Sequence, residues 1–238
     1  MTMKQLLKKI LPPRVRGMLR PVRERLFDMY ALKSYSQEGE DMVLRRLFER
    51  QTSGFYVDVG AHHPLRFSNT NYFYQRGWRG VNIDATPGVK AAFERVRPRD
   101  TTVEAAISRD GRELTLRQYN EGAINTLAEG DAPTAQSGYT LLKETKLKTR
   151  RLADVLREAV PAGQTIDFMS VDVEGMDLEV LEGNDWKAYR PKYLLVECFG
   201  VPLSGVEGAP VGAFLKSQGY ELFAKCVHTV FFKDAGAA

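Results

Sequence analysis

Apolar residues in this chain fall into two kinds of run. Short continuous runs read as buried parallel strands. They are Phe55–Val59, Val81–Ile83, Val103–Ile107, Phe168–Val173 and Tyr193–Val196. All but Val103–Ile107 lie next to an acid or a glycine, and Asp58, Glu104 and Asp172 fall within runs. Between the runs, apolar residues recur at helical spacing around 42–48, 69–76, 87–96, 152–160, 178–186 and 211–216. Glu113–Tyr119 alternates and predicts an extra antiparallel strand, followed by a loop or lid to about Thr140. Glu221–Lys225 and Thr229–Lys233, separated by a short turn, predict a hairpin. Strands alternating with helices predict an open α/β sheet with a ligand crevice at the carboxyl ends of its strands.

Two segments follow from the same pattern. Residues 1–33 are basic and loosely amphipathic, broken by Pro12-Pro13. Residues 34–238 carry the sheet pattern. Ser36 is the expected N-cap of the first helix, with Glu40 and Asp41 in its first turn. Capping does not require Gln37 as well as the acids, so Gln37 and Asp41 are carried as cofactor-side candidates.

Composition narrows the class. At 238 residues and 43% apolar, the chain suits one α/β domain with a small appendage. The net charge is +4, and nine Lys or Arg against two acids lie before residue 34. A nucleic-acid groove would need basic residues spread over the folded body, so no nucleic-acid partner is expected. The basic segment leaves two readings: peripheral contact of residues 1–30 with anionic lipid, or packing on the domain or on a second copy in a homodimer. Cys198 and Cys226 are expected to be free thiols. No apolar run reaches the ~20 residues of a membrane span, and no signal peptide is read. The expected location is cytoplasmic, with the inner face of the membrane as the variant that the basic segment would give.

The crevice chemistry begins at Gly54-Phe55-Tyr56-Val57-Asp58-Val59-Gly60-Ala61-His62-His63-Pro64. Gly60 and Ala61 let a ligand approach the backbone. Asp84 ends the second strand, 26 positions after Asp58, where an acid accepts hydrogen bonds from ribose hydroxyls. There is no G-x-x-x-x-G-K-[ST] and no G-x-G-x-x-G after the first strand. An acid with few glycines suits a ligand that has a ribose and no pyrophosphate, such as S-adenosylmethionine (SAM).

Five motifs carry a resemblance. They are Tyr35 through Asp41, Phe55 through Pro64, Gly77 through Asp84, Ala123-Ile124-Asn125-Thr126-Leu127, and Phe168 through Asp177. In their order and spacing the chain resembles the FkbM family of SAM-dependent methyltransferases, over about two thirds of its length. The resemblance implies a class I methyltransferase, a Rossmann-like seven-stranded sheet with an antiparallel last strand. It also implies O-methylation, often of sugar hydroxyls in glycans or natural products. By position, Asp58, Gly60 and Ala61 match the methionine-side motif and Asp84 the ribose acid. Ala106, Ile107 and Ser108 match the strand end beside adenine, and Asp172 the acid after the fourth strand. The usual third glycine is replaced by His62-His63-Pro64.

A sugar hydroxyl is a poor nucleophile at neutral pH, so a base is sought. His62 and His63 are the first candidates, with Asp172 and Glu174 beside them. Asn125, Thr126 and Glu197 are the substrate-side candidates. No metal is favoured, but Asp172, Glu174 and Glu197 are the oxygen ligands that would hold a divalent ion. The alternatives are a non-catalytic SAM- or glycan-binding subunit, and a methyltransferase of a protein or lipid head group.

Overall fold

The computed structural model describes residues 30–128 and 138–237. The expected amphipathic segment at 1–29 and the middle of the lid lie outside them. The unit that carries the sheet begins at Tyr35.

Seven strands form the main sheet: β1 (Phe55–Val59), β2 (Arg79–Asp84), β3 (Thr101–Glu104), β6 (Phe168–Val171), β7 (Tyr193–Glu197), β8 (Tyr220–Lys225) and β9 (Thr229–Asp234). Their order is β3-β2-β1-β6-β7-β9-β8. Pairing is parallel as far as β7, and β9 runs antiparallel between β7 and β8. The order reverses between β1 and β6, where Asp58 pairs with Ser170 and Val59 with Val171. The carboxyl ends of these two strands therefore open onto the crevice.

The central strands are apolar on both faces because both faces are covered. From β1, Val57 and Val59 join the core with Leu152, Val155 and Leu156 of α4 (Leu152–Ala159). Tyr56 faces the opposite core, with Phe168, Trp78 and Leu44 of α1 (Glu40–Leu47). In that core Phe73, from α2 (Asn71–Gln75), lies 4.8 Å from Trp78 and 5.0 Å from Phe168 between ring centroids. The remaining α-helices among the described residues are α3 (Val89–Val96), α5 (Asp177–Glu182) and α6 (Pro210–Ser217).

Two local expectations are corrected. The first helix starts at Glu40, with Gly39 at its N-cap in the left-handed region (φ 89°). Ser36 still accepts from the Asp41 amide at 3.3 Å, but from outside the helix. The alternating strand β4 (Glu113–Tyr119) pairs with a second strand, β5 (Leu141–Lys148), that the sequence reading did not anticipate. Six of the eight β5 residues are exposed, so its sequence has no buried face to betray it. Cys198 and Cys226 are free thiols, as expected.

Behind the crevice Arg97 is fully buried and paired with Asp100. It donates to Tyr56 Oη and Thr70 Oγ1, both at 3.0 Å, and to Asn82 Oδ1 at 3.2 Å. One guanidinium thus ties β1, β2 and the 64–70 loop together. A buried ion pair holds only when its remaining donors are satisfied, as they are here.

Candidate active site

The crevice has two compartments, each an open cleft of about 530 Å³. The first has apolar walls from Ile83, Ala105, Ile107, Leu116 and Leu127, with Asp84 and Asn125 at its edge. The second is polar, lined by Gln37, Glu38, Glu40, Asn69, Glu197 and Thr229, with Phe67 and His228. Gly60, His62, Ala123, Asp172 and Glu174 border both.

Gly60 is where the sequence yields to the fold. Its φ is +84°, and a Cβ there would sit 1.6 Å from the Asp172 carbonyl oxygen. No L side chain fits, so β1 and β6 close together at the crevice floor. The amides of Gly60 and Ala61 both donate to the Ile83 carbonyl. Asp84 then accepts from the His62 amide at 2.8 Å and from the Thr86 amide at 2.7 Å.

Among the described residues, three non-glycines have positive φ: His62, Phe67 and Glu174. All three line the polar compartment. Each such residue costs of order 1–3 kcal/mol and persists only where its surroundings hold it. Glu174 is held by Asp177, which accepts from the amides of Val173 and Gly175 on either side. The 62–67 loop is held by a two-pronged Arg66–Glu121 pair at 2.8 and 2.9 Å. That pairing first, and the neighbouring backbone amide after it, brings the Glu121 carboxyl down to about 2.

The His62 Nε2 is buried with no hydrogen-bond partner. Burial lowers the proton affinity of the ring, partly opposed by Asp84. A neutral imidazole in the wall between two compartments can accept a proton there once acceptor binding uncovers its enclosed Nε2. Asp172, Glu174 and Glu197 each bring one oxygen to within 4.8 Å of the others. Burial first, and like charge second, push Glu197 up to about 8; Asp172, whose side chain is open to the crevice, is raised in the same direction by the groups packed round it and by the neighbouring acids. Such a set favours a cation beside it, whether an organic cation or a hard metal ion.

The remaining candidates take other places. Asp58 turns away from the crevice: its carboxylate accepts from Thr70 at 3.0 Å, and burial raises it to about 6. Ala61 packs on Val89 and Phe93. Asp41 closes its own turn through the Tyr35 amide and Ser36 Oγ. His63 Nδ1 accepts from the amides of Leu65 and Arg66, as a turn cap. Ala106 packs on Leu116 and Met176, and Ser108 bonds to Thr149. Thr126 donates to the Glu174 carbonyl at 2.7 Å, bracing the floor rather than lining it. None of these seven lines either compartment. Glu38, Glu40, Phe67, Asn69 and His228 line the polar compartment without a sequence signal that marks them as site residues. Glu40 accepts from Thr229 at 3.0 Å and Glu38 from the His228 amide at 2.7 Å, so the 37–40 turn walls the polar side.

Sheet order, the switch-point crevice and an acid at the end of β2 define a class I SAM-dependent methyltransferase. Residues 58–222 match the family described as Methyltransferase FkbM domain, and the chain belongs to that family. Methyltransferase sdnD of Sordaria araneosa is 34% identical over 98 residues, 37% of this chain and 36% of that one. The chain thus spans about a third of the length of that curated relative. Among solved structures, a TehB-like SAM-dependent methyltransferase from Corynebacterium glutamicum aligns at a TM-score of 0.42 and 12% identity, covering 93% of this chain and 99% of that one. An O-methyltransferase from Bacillus cereus in complex with SAH aligns at 0.43 and 12%, covering 96% and 94%.

SAM is the cofactor, and the residues present fit it. Gly60 presents backbone at the border of both compartments, Asp84 offers acceptors for ribose hydroxyls, and the apolar walls suit a purine. Among the described residues no helix is long and apolar enough to cross a membrane.

Proposed function

We propose that this enzyme methylates a hydroxyl of a sugar or glycan. The observation that carries the reading is the position of His62, with its unpartnered Nε2, between an apolar compartment and a polar one. When bound, SAM supplies a methyl carbon made electrophilic by its sulfonium. Ile107, Leu127 and Asp84 would hold the nucleoside part, and Asp172 and Glu174 would stand beside the cationic part. The polar compartment presents carboxylates and amides, which accept several hydroxyl hydrogen bonds at once and suit a polyhydroxylated acceptor. His62 would take the acceptor hydroxyl's proton at Nε2, and bound SAM would supply the methyl group to that oxygen. Asn125 is fixed by the Tyr119 amide at 2.9 Å and by Thr86 at 3.1 Å, which keeps the crevice edge in place. Alignment of acceptor and methyl, more than the base, carries most of the rate.

The test is a screen of nucleotide-sugars, lipid-linked glycans, peptides and lipid head groups with methyl-labelled SAM. Label in carbohydrate, at oxygen, is the expected result. Label confined to peptide or head group would replace this reading.

A further inference from the structure

One phenyl ring lines the polar compartment and a second stacks on a residue of its wall, and the chemistry above uses neither. Phe67 lines it from the β1 side and is 39% exposed. Phe199, two residues past β7, is 47% exposed. Phe199 lies nearly flat on the His228 imidazole, with centroids 4.4 Å apart and planes 23° apart, and His228 is in the compartment wall. Phe67 is backed by the Arg66 guanidinium, 4.1 Å from its centroid. Strand order sets the Phe67 loop and the Phe199 loop on opposite sides of the β6 loop that bears Asp172 and Glu174. Exposed phenyl faces gain free energy when covered, and both are braced against turning away.

A pyranose has the complementary distribution, with hydroxyls at its rim and C–H bonds on its faces. Phe67 borders the compartment where the proton is taken, so it serves the ring that is methylated. Phe199 does not line that compartment and reaches it only through His228, so it lies one ring further out. We infer that Phe199, braced by His228, is the platform for the sugar adjoining the methylated one, and that the acceptor is an oligosaccharide. This inference rests on the carbohydrate reading above.

The test uses full-length protein saturated with S-adenosylhomocysteine, fluorescently labelled, on an array of mono- to tetrasaccharides. Wild type should be retained on structures of two or more rings. Phe199→Ala should lose roughly tenfold in affinity there, with single sugars and S-adenosylhomocysteine binding unchanged. Phe199→Trp should keep retention, and Phe199→Leu should lose it, because bulk without a ring face does not stack. Equal retention of wild type and Phe199→Ala on the longer glycans would overturn the platform and leave the carbohydrate reading standing. Retention of wild type on no glycan would overturn both. Phosphatidylglycerol vesicles that sediment wild type but not Phe199→Ala, with glycan retention intact, would reassign the ring to a lipid surface.

Discussion

The His62 backbone amide donates to Asp84 Oδ2 over 2.8 Å, so the backbone that carries the ring at the compartment junction is tied to the acid at the end of β2. Cofactor pocket and base are set by the same contact. Changes at Asp84 should therefore reach the chemical step as well as cofactor affinity.

Asp84→Ala is expected to weaken SAM binding by roughly 1–3 kcal/mol, the loss of hydrogen bonds to a charged group. Asp84→Asn should retain part of this, since its carbonyl can still accept from one of the two amides. Calorimetry with SAM checks both, and a folded alanine variant of unchanged affinity would remove Asp84 from the site.

His62→Ala should cut turnover by at least ~10²-fold with SAM affinity nearly unchanged. His63→Ala, a turn cap on the surface, should cost far less. The wild-type rate should rise with pH as the ring loses its proton and level off below neutral pH, because burial holds His62 below its ordinary value. A pH profile that is unchanged in His62→Ala would assign the base to the acids of the floor.

Asp58 binds its proton more tightly folded, at about 6, than unfolded, at ~3.9. Its contribution to stability is therefore full below pH ~4 and is lost as the pH rises through 6. Asp58→Asn should remove that loss, gaining on the order of 2–3 kcal/mol relative to wild type between pH 4 and 7.5. Urea unfolding at the two pH values measures it. SAM affinity should hardly move, because the carboxylate bonds to Thr70 behind the crevice.

Dialysis against EDTA should leave turnover intact, since the cofactor's own positive charge meets the acids at the junction. Loss of activity, restored by Mg²⁺ and not by buffer alone, would make Asp172, Glu174 and Glu197 metal ligands.

The strands, their crossovers and the junction residues Gly60, His62, Asp172 and Glu174 were legible because apolar runs ending in acids or glycine have few other uses. Side-chain direction was not legible. Asp58 reads as a ligand acid until Arg97, 39 positions away in sequence, is seen to be the neighbour that compensates its burial. Asp41 and His63 read as chemistry and serve turns, since a carboxylate or imidazole suits either. The 37–40 wall was half seen. Gln37 stands out as more than capping requires, but Glu38 and Glu40 gain meaning only when the hairpin turn at His228 and Thr229 folds back on them.

His62, Phe67 and Glu174 hold a backbone form that glycine would adopt without penalty. Replacing any of them by glycine should raise the melting temperature while damaging the enzyme. A library screened for heat resistance alone would drift toward glycine at these positions and return robust, inactive proteins. The positions where the chain resists being improved as a fold are the ones it keeps for its work.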